Sequence, residues 1–440
     1  LLGITAIAAS FARVSAYEAD RAATVARDRD TWESQGARNP HGVAHFASWA
    51  LRPLTAGALL DPGVSPYAGA AIWMEAHNQN PARARPVEDQ VTALPLGAFS
   101  MAWVLQMLLP LLIAVIAAGA VARERERGTF RLMLASGGSA RDFMMAKIAS
   151  VGRTTALIAG GTLAIGFAAA LAMGGADGTR LALWVAAYLL FLAIIVLIAV
   201  GVSARSKSTG QAILVLMGLW LFAIILVPRA AASAAEIVAP VPAADRFWTD
   251  MSAAMKERSD PFGDDKAAFG EAMARRYGVA SVADLPVNFD GLQLEESERQ
   301  GNIIFDRFYG QLNRIYAAQR NAMRWGNALS PLPALQNVSM ALAGTDMPHQ
   351  IAFQQQAEAH RRATVTALNT DMINKAGAAG FDYRADAGLW AQIDDFAFAP
   401  PGLMPIARSI WPDALILLGW LMLAGLFAQR SVRALSAEAD

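Results

Sequence analysis

Stretches of roughly 20 mostly apolar residues constrain this chain more than any other feature of its sequence. A helix needs about that length to cross roughly 30 Å of hydrocarbon. The chain is 55% hydrophobic and only 17% charged, whereas about a quarter of the residues in a soluble domain are charged. We therefore predict an integral membrane protein, with spans at residues 99–122, 152–174, 180–203, 211–228 and 410–429.

The chain also begins in apolar sequence. We interpret residues 1–15 as the end of a first transmembrane helix whose cytoplasmic half precedes Leu1. A cleaved signal peptide is the alternative, because Val14-Ser15-Ala16 is a tolerable cleavage site. The first interpretation is favoured because it gives six spans, an even number, so that both ends of the chain lie on the same side of the membrane.

Basic residues follow the spans in a regular way. The clusters at residues 123–131, 205–207 and 430–433 all fall on one side of the membrane, which the positive-inside rule assigns to the cytoplasm. The predicted fold class is an all-α membrane protein with six transmembrane helices, the first one truncated, and a large α-rich extracytoplasmic module. Residues 123–151 and 430–440 are then cytoplasmic, and residues 16–98 and 229–409 are extracytoplasmic.

The two extracytoplasmic segments read mainly as helices. Ile304, Phe308, Leu312 and neighbours recur at steps of three and four, which predicts one apolar helix face. Brief strands are expected around residues 381–383 and 396–398. We expect the two segments to pack against each other, because neither has an obvious closed core of its own.

Composition excludes several kinds of chemistry. The net charge is zero, so no nucleic acid partner is expected. The chain contains no cysteine, which rules out disulfides and thiolate ligands. There is no Gly-x-x-x-x-Gly-Lys-Ser/Thr loop to hold ATP phosphates, and the acidic pairs are interpreted as solvated faces. We predict no catalytic residue and no cofactor in this chain, and Asp346 is expected to cap a helix.

The five histidines are candidate metal ligands. His41 and His45 have the i, i+4 spacing, but Pro40 precedes the first and Gly42 interrupts the turn, so a helical ligand pair is not expected. No third ligand stands at a telling distance in the sequence. We interpret these residues, with His77, His349 and His360, as hydrogen-bonding histidines and predict no metal site.

The segment after the second span is short, charged and amphipathic. Glu124 and Glu126 stand among arginines, and two apolar groups, at residues 130–134 and 143–148, flank the break at Gly137-Gly138. The pattern predicts two short helices at the membrane surface. A solvated loop that merely obeys the positive-inside rule is the simpler alternative.

The sequence Arg-Glu-Arg-Glu-Arg-Gly-Thr, followed by Leu-Met-Leu-Ala-Ser-Gly, resembles the motif between the second and third membrane helices of ABC-2 type permeases. The resemblance implies a coupling element that docks on a separate ABC ATPase, which would bind ATP and Mg. It also implies that coupling to the ATPase depends on seven residues, namely Glu124, Glu126, Gly128, Thr129, Phe130, Arg131 and Phe143.

The outer segments resemble the permease branch that carries the DUF3526 domain, described as similar to the permease component of copper-enzyme maturation transporters. The resemblance covers most of the chain. The residues that carry it lie at 39–46, 60–64, 71–77, 329–336 and 339–346.

Polar residues and prolines inside spans are functional candidates because they are unfavourable in lipid. Gln106 lies deep in the second span and could face a subunit interface. Pro110 should kink that span. Asp413, beside Pro412, lies near the outer interface, where helix capping or snorkelling would explain it.

Three functions remain open at this stage. The first is a permease in the bacterial cytoplasmic membrane, working with an ABC ATPase and a second permease subunit, identical or related. The second is a mechanotransmitter that uses ATP-driven helix motion to act on a periplasmic protein. The third is a membrane-anchored binding or scaffold protein without an ATPase.

Overall fold

The computed structural model describes residues 1–46, 48–85 and 99–437. Helices dominate these ranges. In chain order they are α1 (Leu2–Glu33), α2 (Pro40–Ala44), α3 (Met101–Glu126), α4 (Thr129–Ala135), α5 (Ala140–Ala172), α6 (Gly178–Arg205), α7 (Thr209–Val238), α8 (Ala244–Lys256), α9 (Lys266–Tyr277), α10 (Phe289–Asn327), α11 (Pro331–Ala343), α12 (Met347–Lys375), α13 (Ala387–Ala391) and α14 (Leu403–Ala437).

Within the described residues, five helices are long and apolar enough to cross a membrane, namely α3, α5, α6, α7 and α14. They coincide with five of the six predicted spans. Helix α6 lies at the centre of the bundle and packs against α3, α5, α11 and α14. Large apolar side chains such as Leu157, Leu214 and Met422 point outward and are exposed, as expected where lipid covers the surface.

Helix α1 is not among these five helices. Its first turns lie directly against α5, so closely that a Cβ atom on Gly3 would collide with Thr162. Small residues of this kind permit close helix contacts in membranes. The helix continues well past residue 15, and near its end the Trp32 indole donates to the Trp390 carbonyl at 3.1 Å.

A small antiparallel sheet lies in the first outer segment. Its strands β1 (Ser48–Leu51), β2 (Ala71–Glu75) and β3 (Asn78–Gln79) follow the order β1-β2-β3, with Trp49 opposite Trp73. The strands expected near residues 381 and 396 are wrong. Phe381 lies in a 3₁₀ turn, while Phe396 and Phe398 pack their rings edge-on against Phe353 of α12. The aromatic residues Phe396 and Phe398 therefore pack on a helix and do not pair as strands.

The two outer segments share hydrophobic clusters, as expected. One cluster joins Trp32 and Val43 to Leu368 and Trp390. A second places the inner face of the sheet, including Ile72 and Met74, against Phe353 and Ala357 of α12. We call this joint unit the outer module. Neither segment could bury these side chains without the other.

Helix α10 connects the outer module to the bundle. It has 39 residues and is therefore about 58 Å long. Its predicted apolar face is observed: Ile304 is buried and Phe308 packs with Phe247 of α8. The next helix, α11, is largely buried and packs against α6 and α14.

Candidate functional site

The charged segment between α3 and α5 forms a compact turn. Helix α3 runs on to Glu126 and is followed by Gly128, whose φ of 74° lies in the left-handed region that favours glycine. Helix α4 comes next, and the Ser139 side chain then caps α5 by accepting from the Asp142 N–H. The prediction of two short surface helices is only half right. The second apolar group, at residues 143–148, lies in the first turns of the long helix α5.

Its two glutamates bind the neighbouring helices. Glu124 accepts from Lys147 of α5 at 2.8 Å and from the Thr129 hydroxyl. Glu126 accepts from the Thr209 hydroxyl at the start of α7 at 2.7 Å. Arg125 donates to the carbonyls of Ala204 and Ser206 at 2.9 Å each. The segment is therefore tied to three bundle helices, and movement of the turn would be passed on to them.

The apolar residues of the segment face in two directions. Phe130 is only 4% exposed, and its ring lies 5.1 Å from that of Phe143. Leu132 and Met145, in contrast, are 71% and 56% exposed, and Arg131 is exposed beside them. The two aromatic rings hold α4 on α5. The outward surface is formed by Arg131, Leu132 and Met145, which belong to the segment singled out in the sequence.

Gln106 lies inside the chain's own core. Its amide donates to the Tyr188 hydroxyl of α6 at 2.6 Å, and that hydroxyl lies 3.0 Å from the Ser339 hydroxyl of α11. Ser339 in turn donates to the Asp61 carboxylate, which is fully buried. The amide therefore belongs to a buried polar network that links two bundle helices with the outer module.

Pro110 changes the helix geometry just before it. Residues Val104–Leu108 form a π-helical turn, and the Leu109 N–H bonds the Val104 carbonyl five residues back. Proline has no N–H to continue the α-helical ladder, and a π turn absorbs the loss. Helix α7 repeats the arrangement, with a π turn at Phe222–Leu226 before Pro228. Helix α7 continues past this proline to Val238.

An apolar cavity of about 390 Å³ lies beside Gln106 and Pro110, among α3, α6, α7 and α14. Aromatic and aliphatic side chains form most of its wall, so it suits an apolar ligand segment or a lipid chain. The largest of these side chains are Phe191, Trp220, Phe222, Trp420 and Phe427.

Asp413 is neither a free cap nor a snorkelling residue. Its carboxylate is 1% exposed and pairs with the Arg324 guanidinium of α10 at 2.9 Å. The Asn337 amide donates to the second carboxylate oxygen at 2.9 Å. Because Arg324 lies far from Asp413 in the sequence, no local pattern could have revealed the pair.

The histidines separate into two groups. His41, His45 and His77 come together in the outer module, with their nearest ligand atoms all within 4.8 Å of one another. His349 is buried and bonds Asp346, which caps α12 as predicted, and His360 packs against Phe396. The expectation that Gly42 would prevent a helical pair is wrong, because Pro40–Ala44 is one helical turn and His45 follows it in helical conformation.

These features define a multi-pass helical membrane protein with a charged turn at one end of its bundle and a large module at the other. A family model described as ABC-2 family transporter protein matches residues 77–240. A second, described as domain of unknown function (DUF3526), matches residues 248–399. The two matches confirm the resemblance to ABC-2 type permeases that carry a DUF3526 domain. No curated protein and no solved structure matches it at a significant level.

Proposed function

We propose that this chain is the permease subunit of an ABC-2 type transporter, which moves its cargo across a bacterial cytoplasmic membrane with ATP hydrolysed by a separate subunit. The observation that carries the proposal is the turn between α3 and α5. It holds three bundle helices through Glu124, Glu126 and Arg125, and it presents exposed apolar side chains beyond them. A passive loop needs neither feature.

The docking surface follows from burial. Apolar side chains that become covered contribute most of the binding free energy at interfaces, whereas exposed charges contribute about 1 kcal/mol or less each. Leu132 and Met145 are free to be covered, while Phe130 is already packed. We therefore assign contact with the ATPase to Leu132, Met145 and Arg131, and we assign Phe130 and Phe143 to holding the turn in shape.

We propose two partner subunits for this chain. The ATPase binds ATP and Mg, and this chain supplies no catalytic group. A second permease subunit, identical or related, completes the transport path. The amino-terminal part of α1 packs on α5 and presents Leu2, Ile4 and Phe11 outward, which supports the proposal of a sixth span. With six spans, the outer module would lie on the periplasmic side.

A mechanotransmitter is the second candidate, because a long helix and a buried ion pair connect the outer module to the bundle. Helix α10 reaches from the module to the bundle, and the buried Arg324–Asp413 pair fixes its end to α14. Motion of the spans would therefore be delivered to the module and to any periplasmic protein bound there.

The test uses the full chain coexpressed with an ABC ATPase that copurifies with it and reconstituted in nanodiscs. Leu132→Asp and Met145→Asp should reduce ATPase retention and ATP turnover. Tyr67→Asp is the matched control, because Tyr67 is an exposed residue of the outer module. It should change neither ATPase retention nor ATP turnover. Equal retention and turnover in all three variants would refute the docking surface. Cargo uptake by liposomes separates transport from mechanotransmission.

A further inference from the structure

Three imidazole rings meet at one point of the outer module although they come from two distant parts of the chain. His41 belongs to the short helix α2, His45 directly follows that helix, and His77 lies in the two-residue turn between β2 and β3. The ring centroids are separated by 4.7, 5.2 and 5.1 Å, which is nearly an equilateral triangle. The Ala76 N–H donates to the Ala44 carbonyl at 3.1 Å and thereby fixes the turn against the helix.

His77 is held in a conformation that side chains rarely adopt. Its φ is 67°, in the left-handed region that is unfavourable for a residue with a Cβ atom. Such conformations persist where the surrounding structure enforces them. Here both the backbone N–H and the ring Nδ1 of His77 bond one oxygen of Glu298, at 2.8 and 2.5 Å.

That contact sets the tautomer of the ring. A carboxylate that accepts from Nδ1–H leaves Nε2 with its lone pair, and this carboxylate–histidine arrangement is the one that orients metal-binding imidazoles. Glu298 itself is buried and lies 3.4 Å from the Arg361 guanidinium, which also donates to Asn302 at 2.7 Å.

The other two rings, those of His41 and His45, bring their Nε2 atoms close together beside His77. Their Nε2 atoms are 3.2 Å apart, close to the separation of about 3.3 Å between two nitrogens bound tetrahedrally to one ion at about 2.0 Å.

We propose that His41, His45 and His77 bind a divalent late first-row transition metal ion through three imidazole nitrogens, with Glu298 orienting His77 from behind. Imidazole donors suit Zn²⁺ and Cu²⁺, whereas Mg²⁺ and Ca²⁺ prefer oxygen ligands. The chain has no cysteine to offer a thiolate. His45 is exposed, so the ion has access from solvent and its fourth position is open to water or to a donor from a bound partner.

Zn²⁺ and Cu²⁺ titrations test the site on the full chain, purified in detergent without a histidine tag and stripped with a chelator. Isothermal titration calorimetry should give one site per chain, and Cu²⁺ should show an electron paramagnetic resonance spectrum of nitrogen coordination. His77→Ala should abolish both signals. His360→Ala is the matched control, because its ring packs away from the cluster, and it should bind like the unaltered chain.

Glu298→Gln keeps the size of the side chain and removes its charge, so it should weaken binding about 10-fold to 100-fold without eliminating it. Metal should raise the melting temperature of the unaltered chain and of His360→Ala but not that of His77→Ala, which separates loss of a ligand from loss of folding. The proposal is refuted if the unaltered chain binds neither ion, if His77→Ala binds as well as it does, or if Mg²⁺ competes at equal concentration.

Discussion

Arg324 and Asp413 form a buried ion pair 2.9 Å long between the end of α10 and the beginning of a membrane-spanning helix. The arginine also donates to the Ser409 carbonyl at 2.8 Å. The pair therefore joins the outer module to α14 through two contacts at one guanidinium. It is the shortest described connection between a charged residue of the module and a charged residue of the bundle.

Removing one partner of this pair should be strongly destabilising. Asp413→Leu leaves an uncompensated buried guanidinium, which costs about 3–5 kcal/mol of folding free energy. Arg324→Met leaves the Asp413 carboxylate unpaired, at a similar cost. The double variant removes both charges and should recover much of the loss. Melting curves of all four proteins in detergent form a double-mutant cycle. Additive losses in the double variant would contradict the coupling.

Asp61 should make stability depend on pH. Burial raises its pKa above the usual value of 3.8, and the bonds from Ser339 and Gly63 only partly oppose this. A raised carboxyl pKa favours the folded state below pH 3.8, and that contribution is lost as the pH rises through the folded value.

Asp61→Asn keeps an acceptor for the Gly63 N–H and has no proton to lose. Its melting temperature relative to the unaltered chain should therefore rise between pH 4 and pH 8. Asp284→Asn on an exposed 3₁₀ turn corrects for general titration of surface carboxylates. A difference that is constant with pH would show that Asp61 does not titrate in this window.

Gly128 should be required for the shape of the turn between α3 and α5. A Cβ atom in its left-handed conformation costs about 1–2 kcal/mol, although no neighbouring atom would clash with it. Gly128→Ala should therefore lower ATP turnover of the reconstituted complex several-fold while the chain still inserts. Gly160→Ala in α5, which also meets open space and has no positive φ, should leave turnover unchanged. Similar turnover in both variants would argue against a role for the turn.

The sidedness of the membrane can be mapped because the chain has no cysteine of its own. Cysteines introduced at Ser136 and Lys207 should be protected from an impermeant thiol reagent in intact cells, while cysteines at Ser34 and Ser259 should react. All four residues are exposed, so protection reports topology and not burial. Labelling at Ser136 before lysis would invert the proposed orientation.

The sequence by itself determined the spans and the class of protein. Hydropathy along the chain identifies five helices because a membrane helix must be apolar over its whole length, a local property. The cap at Asp346 and the left-handed turn at Gly128 are local as well, since each depends on a few adjacent residues.

Only the tertiary structure decided which polar residues meet. His77 lies beside His41 and His45, and Asp413 pairs with Arg324. These residues are far apart in the sequence, and no periodic pattern in the sequence indicates that they meet. Only the structure likewise shows that the Phe130 ring is buried against Phe143, because an apolar side chain on a surface helix reads the same in the sequence whether it faces inward or outward. These pairings are set by the packing of whole helices, and that packing depends on the shape of every contact surface at once.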